Sequence, residues 1–227
     1  MMVVAIIPAA GKGERMGQGD SKAFLSLAGR PLLFHTLSRV HDCKSLDELV
    51  VVVPTDKLLP ARKLVAEGGF SKVKRVVAGG DSRQESVAKG LEAAGPRVDI
   101  VVVHDGARPL VDTLLIGETI DGARKFGAAA AAVPAKDTVR TLSAEGGFLG
   151  QLERDRVALV QTPQAFNYAW FKKAHEQARE AGFLATDDAA LVERLGHPVH
   201  MILGSHLNIK VTTPEDLILA EALLKRG

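Results

Sequence analysis

Residues 3–17 read Val-Val-Ala-Ile-Ile-Pro-Ala-Ala-Gly-Lys-Gly-Glu-Arg-Met-Gly, and this stretch decides how the rest of the chain is interpreted. Residues 3–7 are apolar, mostly β-branched and followed by a turn rich in Pro and Gly, which predicts a buried strand. The loop that follows carries Lys12 and Arg15, with Lys22 just beyond it. Because glycine lets backbone amides approach an anion closely, the pattern predicts a phosphate-binding loop after the first strand.

Three kinds of phosphate-binding loop can be compared with this one. A Walker A loop ends in Gly-Lys-Ser/Thr, whereas Gly11-Lys12-Gly13 is followed by Glu14. A dinucleotide-binding loop needs a third glycine where this chain has Met16. It also needs an acidic residue at the end of the second strand, about 20 residues on, and this chain has none there. The Gly-x-Gly-x-Arg-Met pattern of nucleotidyltransferases fits best. The simple alternative is a tight glycine turn with solvated charges.

Composition limits the classes of protein to consider. A chain of 227 residues suits a single α/β domain, and a net charge of +2 gives no indication of a nucleic-acid groove or a membrane surface. The single cysteine, Cys43, excludes an internal disulfide. No apolar run approaches the roughly 18 residues of a membrane span, and no secretory leader precedes the first strand. We therefore expect a cytoplasmic protein.

Apolar runs alternate with amphipathic segments along the chain. The predicted strands are residues 3–7, 49–53, 73–77, 100–103, 128–133, 158–160, 199–203 and 209–211. The predicted helices are residues 31–41, 56–67, 82–94, 113–126, 167–181, 187–195 and 214–225. Strands that are apolar throughout are covered on both faces. The pattern predicts a Rossmann-like, doubly wound, mostly parallel sheet flanked by helices.

Ligands of such sheets bind beyond the carboxyl ends of the strands. The segments predicted there hold glycines and charges: residues 8–17, 54–56, 78–81, 104–108, 134–137 and 161–164. A carboxylate at Asp105 can organise Mg²⁺ through water, bind a substrate hydroxyl, or simply pair with Arg108. Near the last helix, Thr213 and Pro214 make a helix start, so Lys210 is the candidate for function.

One segment interrupts the alternation. Residues 138–154 contain two alternating runs around Gly146-Gly147, which predicts a β-hairpin inserted between core strands. We expect residues 1–227 to form a single domain with 138–154 as a protruding arm. Because a lone hairpin is marginally stable in water, this arm is expected to pack on a partner subunit in a homodimer. The alternative is an excursion folded back on its own domain.

The set of motifs resembles the 2-C-methyl-D-erythritol 4-phosphate cytidylyltransferase family of isoprenoid precursor biosynthesis. The matching segments occur in the family's order along nearly the whole chain: residues 9–16, Lys22, 79–87, 104–109, 136–138, 162–164, 186–188 and 208–212. The resemblance implies transfer of CMP from CTP to 2-C-methyl-D-erythritol 4-phosphate. The products would be 4-diphosphocytidyl-2-C-methyl-D-erythritol and pyrophosphate.

The resemblance also implies roles for particular residues. The implied catalytic residues are Arg15, Lys22, Arg154 and Lys210. The implied substrate-binding residues are Ala9, Ala10, Gly11, Gly13, Gly80, Asp81, Arg83, Ser86, Asp105, Ala107, Arg108, Thr138 and Thr186. Mg²⁺ is the implied cofactor, held mainly by the CTP phosphates near Asp105 and not by a protein metal site. In the family the hairpin is a dimer arm, so Arg154 and Thr138 would reach the neighbour's site; Arg156 is a nearby alternative to Arg154.

This chemistry needs no general base. The nucleophile is an oxygen of a phosphate monoester, whose second pKa of about 6 leaves it largely ionised at neutral pH. Catalysis then rests on cations and amides that bring two polyanions together. Two other hypotheses stay open at this point: the same transfer to another polyol phosphate such as ribitol 5-phosphate, and a nucleotide-binding regulatory module without turnover.

Overall fold

The structure, a computed structural model, describes residues 1–11 and 21–225. The helices are α1 (Leu32–Asp42), α2 (Leu58–Glu67), α3 (Arg83–Ala94), α4 (Thr113–Phe126), α5 (Tyr168–Glu180), α6 (Asp188–Arg194) and α7 (Pro214–Leu224). The strands are β1 (Val3–Pro8), β2 (Ser26–Leu27), β3 (Arg30–Pro31), β4 (Glu48–Val53), β5 (Val73–Ala78), β6 (Ile100–Val103), β7 (Ala128–Pro134), β8 (Arg140–Leu142), β9 (Phe148–Gln151), β10 (Ala158–Asn167) and β11 (His200–Leu203). Within these described ranges, no helix combines the length and apolar character that crossing a membrane requires.

Seven of the strands form one sheet, in the order β11-β7-β10-β6-β1-β4-β5. Strand β1 lies parallel between β4 and β6, with Ile6 in register with Val50 and Val103. The pairs β4–β5 and β7–β11 are also parallel, whereas β10 runs antiparallel to both of its neighbours. The mostly parallel, doubly covered sheet predicted from the sequence is therefore confirmed.

Alternate side chains of β1 serve two cores. Val3, Ala5 and Ile7 belong to a buried cluster with residues of α1, α2 and α4. Val4 and Ile6 belong to a second cluster on the other face, with residues of α3, α5 and α6. Successive side chains of a strand point to opposite faces, so a strand with helices on both sides must be apolar at every position.

Strand β10 differs from the prediction. It spans ten residues instead of the predicted 158–160, and it contains Thr162, which was expected just beyond a strand end. Its register is irregular between Val160 and Gln164. Because β10 runs in the opposite direction, its middle still lies at the carboxyl edge of parallel β6, where Asp105 N donates to Thr162 Oγ1.

The predicted strand 209–211 was wrong. Val211 N donates a single backbone hydrogen bond to Ala107 O, but no ladder forms. Ile209 and Val211 instead pack in a small third cluster with Leu27 and Leu32. The apolar character of the segment therefore reflects burial beside the sheet edge.

The predicted hairpin is present. Strands β8 and β9 form their own two-stranded antiparallel sheet, with Arg140 opposite Gln151. Three apolar side chains of the hairpin, Leu142, Phe148 and Leu149, are 60–72% exposed. The hairpin therefore presents apolar surface to solvent within its own chain.

Candidate active site

The described residues enclose a cleft of about 440 Å³ at the carboxyl edge of the sheet. The segments that follow β1, β5 and β6 supply its walls, together with the segment that leads into α7. Most of the predicted site residues in the described part of the chain meet here: Ala9, Ala10, Gly11, Lys22, Gly80, Asp81, Arg83, Ser86, Asp105, Ala107 and Lys210. Pro8, Ala23, Ser82 and Thr212 complete the lining and were not predicted. Gly13 and Arg15 lie outside the described residues.

Two glycines allow the loops around the cleft to approach one another. A Cβ added at Gly106 would stand 2.9 Å from the Ala9 Cβ and 3.3 Å from the Pro8 carbonyl oxygen. A Cβ added at Gly79 would collide with the Ala10 side chain. The segments after β5 and β6 thus pack directly against the first loop, which only glycine permits at these positions.

Helix α3 begins at the cleft, and its start is fixed by three side chains. Ser82 is the N-cap and accepts a hydrogen bond from Glu85 N at 3.0 Å. Ser86 Oγ accepts from Gly80 N at 3.1 Å, and Glu85 accepts from Asp81 N at 2.8 Å. The loop is therefore held by its own hydrogen bonds, and the positive end of the helix dipole lies at the cleft.

Asp105 is the electrostatic centre of the cleft. Arg83 Nε lies 3.0 Å from its Oδ1, Lys210 Nζ lies 2.8 Å from its Oδ2, and Arg108 Nε lies 3.8 Å from Oδ2. Burial alone would raise the pKa of Asp105, but these three cations lower it well below its usual range. Asp105 is therefore an anion at neutral pH. The predicted pairing of Asp105 with Arg108 exists, but Arg83 and Lys210 are closer.

A second carboxylate, Asp188, was not predicted as a site residue. It is fully buried at the start of α6, and its Oδ2 lies 2.7 Å from Arg83 Nη2. Burial lowers the pKa of Arg83, but Asp188 and Asp105 outweigh it and raise the pKa well above the usual range. Complete burial raises the pKa of Asp188 in spite of this ion pair. The guanidinium of Arg83 is thus held between two elements that are distant in sequence.

Four predicted residues lie outside this cleft lining. Arg108 is buried behind it, where Nη1 donates to Asn208 O at 2.6 Å. Thr138 is exposed at the base of the hairpin, and the Arg154 side chain is 58% exposed with Asp155 at 3.8 Å. Thr186 lines a separate depression beside β10 and β11. The structure of a single chain therefore does not bring Thr138, Arg154 and Thr186 together with Lys210.

This arrangement suits binding of a polyanion. Lys22, Arg83 and Lys210 line one cleft beside a glycine-containing loop and a helix N-terminus. In the described ranges, no group of three or more His, Cys, Asp or Glu is placed to hold a metal ion. The described groups can stabilise charge on phosphate oxygens, which is the main requirement of phosphoryl and nucleotidyl transfer.

Comparisons with known proteins agree with this chemistry. The family model described as IspD, 2-C-methyl-D-erythritol 4-phosphate cytidylyltransferase, matches residues 3–226. A relative of that name from Desulforamulus reducens is 47% identical over 225 residues, covering 99% of this chain and 96% of its own.

Solved structures of similarly named enzymes have the same fold. The 4-diphosphocytidyl-2C-methyl-D-erythritol synthase of Anaerococcus prevotii has a TM-score of 0.88 at 32% identity, covering 99% of this chain and 96% of its own. The 2-C-methyl-D-erythritol 4-phosphate cytidylyltransferase of Thermus thermophilus has a TM-score of 0.82 at 39% identity, covering 99% of this chain and 100% of its own.

Proposed function

The chain belongs to the 2-C-methyl-D-erythritol 4-phosphate cytidylyltransferase family, and we propose that its cleft carries out the reaction of that name. CMP is transferred from CTP to 2-C-methyl-D-erythritol 4-phosphate, which yields 4-diphosphocytidyl-2-C-methyl-D-erythritol and pyrophosphate in isoprenoid precursor biosynthesis. The observation that carries the proposal is the contact of Asp105 with Lys210 and Arg83, both within about 3 Å, in a cleft that Lys22 also lines.

The reaction is a displacement at phosphorus. An oxygen of the acceptor phosphate attacks the α-phosphorus of CTP and forms a new P–O bond. The bond from that phosphorus to the oxygen bridging to the β-phosphate breaks, and pyrophosphate leaves with the electron pair. The acceptor phosphate is already largely ionised at neutral pH, so no protein base has to remove a proton. The protein positions two polyanions and stabilises the charge that develops between them.

Different sides of the cleft serve the two substrates in this proposal. Backbone and small side chains of the first loop and the start of α3 hold cytidine and triphosphate: Ala9, Ala10, Gly11, Gly13, Gly80, Asp81, Arg83 and Ser86. Arg15 and Lys22 stabilise the charge on the reacting phosphates. Asp105, Ala107 and Lys210 face the acceptor, where Asp105 accepts from its hydroxyls and Lys210 pairs with its phosphate; Arg108 supports Asp105 from behind the cleft.

Mg²⁺ is proposed as the cofactor, and the residues present fit an ion bound mainly by nucleotide phosphates. Both carboxylate oxygens of Asp105 already pair with cations, so Asp105 would reach the ion only through water and the nucleotide phosphates would hold it. Mg²⁺ commonly keeps several waters and binds through few carboxylates together with substrate phosphates. When bound, the ion neutralises part of the triphosphate charge.

The arm at 138–154 is proposed to complete the site of a partner subunit in a cytoplasmic homodimer. Thr138 and Arg154 are exposed in their own chain, and the arm presents apolar side chains that need cover. In the dimer, Arg154 and Thr138 would reach the acceptor bound by the neighbour, and Thr186 would contact the acceptor as well.

The experiment is pyrophosphate release from CTP and Mg²⁺ with two acceptors in parallel. We expect release with 2-C-methyl-D-erythritol 4-phosphate and background release with ribitol 5-phosphate. Release with ribitol 5-phosphate alone would replace the acceptor but keep the site. Silence with both acceptors, in protein shown to be folded, would contradict the proposed function. Omitting Mg²⁺ should reduce the rate to background.

A further inference from the structure

A buried hydrogen-bond network surrounds His104, which no step of the proposed reaction uses. The side chain is 1% exposed and directly precedes Asp105. Its Nδ1 lies 3.2 Å from Thr162 Oγ1, and its Nε2 lies 3.2 Å from the Arg108 carbonyl oxygen. Thr162 Oγ1 in turn accepts a hydrogen bond from Asp105 N at 3.0 Å.

The partners determine which imidazole nitrogen carries the proton. A carbonyl oxygen only accepts, so Nε2 must be the donor to Arg108 O. The Thr162 hydroxyl already accepts from Asp105 N, and its own hydrogen then has Nδ1 as an acceptor. The neutral imidazole with its proton on Nε2 satisfies each of these three hydrogen bonds. Burial opposes the charged form and outweighs the nearby Asp105 carboxylate, which favours it.

The same network extends to the segment that carries Lys210. Asn208 Nδ2 donates to Thr162 O at 2.8 Å, and Asn208 O accepts from Arg108 Nη1 at 2.6 Å. Thr162 and Asn208 are buried, and they link strand β10 to the loop 104–108. On the nucleotide side the network meets only Arg83, whose Nε donates to Asp105 Oδ1 at 3.0 Å; no hydrogen bond described for it ends on residues 9–11 or 80–82.

We propose that His104, as the neutral Nε2–H imidazole, is a positioning residue that acts with Thr162 to hold Asp105 in the geometry that binds the acceptor, with Arg108 fixed behind it. This inference rests on the proposed function, because the acceptor side of the cleft is assigned there. His104 itself does not touch substrate. It closes the loop 104–108 at both ends, through the Asp105 amide by way of Thr162 and through the Arg108 carbonyl directly.

The first test is the kinetic pair Thr162→Val and Thr162→Ser. Valine has nearly the shape of threonine but removes the hydroxyl that links Asp105 N to the imidazole, whereas serine keeps it. We expect Thr162→Val to raise the KM for the methylerythritol phosphate about tenfold or more while the KM for CTP changes less than about twofold. Thr162→Ser should stay close to wild type. An equal rise in both KM values, or none in either, overturns the proposal.

The second test reads the tautomer directly and does not depend on activity. In protein labelled with ¹⁵N-histidine, His104 should appear as a neutral imidazole with Nε2 protonated at pH 7, identified as the resonance absent from His104→Gln. The same measurement on His206→Gln, an exposed histidine outside the network, is the control. A protonated Nδ1 or an imidazolium would overturn the proposal even if Thr162→Val failed to fold. If wild type shows no turnover, the proposed function is refuted, but the tautomer of His104 can still be measured and compared with the prediction.

Discussion

The cleft and the arm both carry cations predicted to bind the acceptor, but their surroundings differ. In the cleft, Lys210 and Arg83 are fixed on Asp105, and Arg83 also contacts buried Asp188. On the arm, the Arg154 side chain is mostly exposed and its described ion-pair partner is the exposed Asp155 at 3.8 Å. Two apolar side chains of the arm, Phe148 and Leu149, also face solvent.

The cleft is thus held together by contacts within one chain, whereas the arm lacks such contacts. Interlocked ion pairs on two buried carboxylates preorganise the cleft before substrate arrives, as electrostatic catalysis requires. An isolated two-stranded hairpin with exposed apolar side chains lacks such support and gains it by packing on another surface. We infer that cleft residues set the chemistry and that arm residues act on a second subunit.

The largest effect is expected from Lys22→Ala. Removing a preorganised cation that lines the cleft should lower kcat by on the order of 10²- to 10³-fold. Steady-state kinetics with both substrates measures it, and circular dichroism verifies the fold. Lys74→Ala, which removes an exposed lysine at the amino end of β5, away from the cleft, is the matched control and should be silent. Near-normal turnover in Lys22→Ala would show that the chemistry is elsewhere.

Two buried histidines, His104 behind the cleft and His175 on α5, should also make stability depend on pH. Burial lowers the pKa of His104 and of His175 from 6.5 to about 4, and the charge of Arg83 contributes at His175. Between pH 6.5 and 4 the unfolded chain binds more protons at these histidines, so stability falls as the pH falls through this window. Each histidine contributes up to about 3 kcal/mol over it.

Urea unfolding at several pH values checks this expectation. His175→Leu removes one titrating group from the face of α5 against Phe171 and should flatten the slope of unfolding free energy against pH between 6.5 and 4. His206→Gln removes an exposed histidine and should leave the slope as it is. An unchanged slope in His175→Leu would mean that His175 titrates normally in the folded protein.

A smaller and more selective effect is expected from Arg154→Ala. Loss of a charged hydrogen bond to the acceptor phosphate should raise the KM for the methylerythritol phosphate about tenfold, with little change for CTP. Arg156→Ala is the matched control, since Arg156 is two residues away and also exposed to solvent. If Arg156→Ala gave the selective effect and Arg154→Ala did not, the assignment would pass to Arg156.

The smallest effect on the activity of an assembled site is expected from Phe148→Glu on the arm. A charge in the apolar surface should weaken the dimer, so sedimentation at micromolar concentration should show monomer where wild type shows dimer. Activity should recover as protein concentration is raised. Leu59→Glu, which changes a similarly exposed leucine on α2, should leave the sedimentation unchanged. If wild type sediments as a monomer at all concentrations, the arm does not form a dimer interface.

Sequence patterns predicted the sheet because the central strands β1, β4 and β6 are short, apolar on both faces and bounded by turn residues. They did not predict the direction or length of β10, since strand direction depends on long-range connection and leaves no local signal. The strand predicted at 209–211 was wrong because burial in a small cluster produces the same apolar run as a ladder.

The candidate site was predictable where glycines and charges follow strands, as at residues 9–11, 80–81 and 105. Asp188 was missed because Thr186-Asp187-Asp188 has the local pattern of a helix start, and Asp187 is indeed its cap. The ion pair of Asp188 with Arg83 joins residues more than a hundred positions apart, which a single sequence does not reveal. The same holds for Asn208 and Thr162, whose contacts depend on the antiparallel placement of β10.

Subunit mixing tests most directly the claim that cleft and arm of different chains form one site. Lys22→Ala and Arg154→Ala chains are each nearly inactive at low acceptor concentration and are mixed in equal amounts after reversible dissociation. If Arg154 acts on the partner's cleft, half of the dimers are mixed and one of their two sites is intact. Activity should then rise to about one quarter of wild type. If Arg154 acts within its own chain, no site in the mixed dimers is intact. Activity that stays at the mean of the two variants would therefore contradict a site shared between subunits.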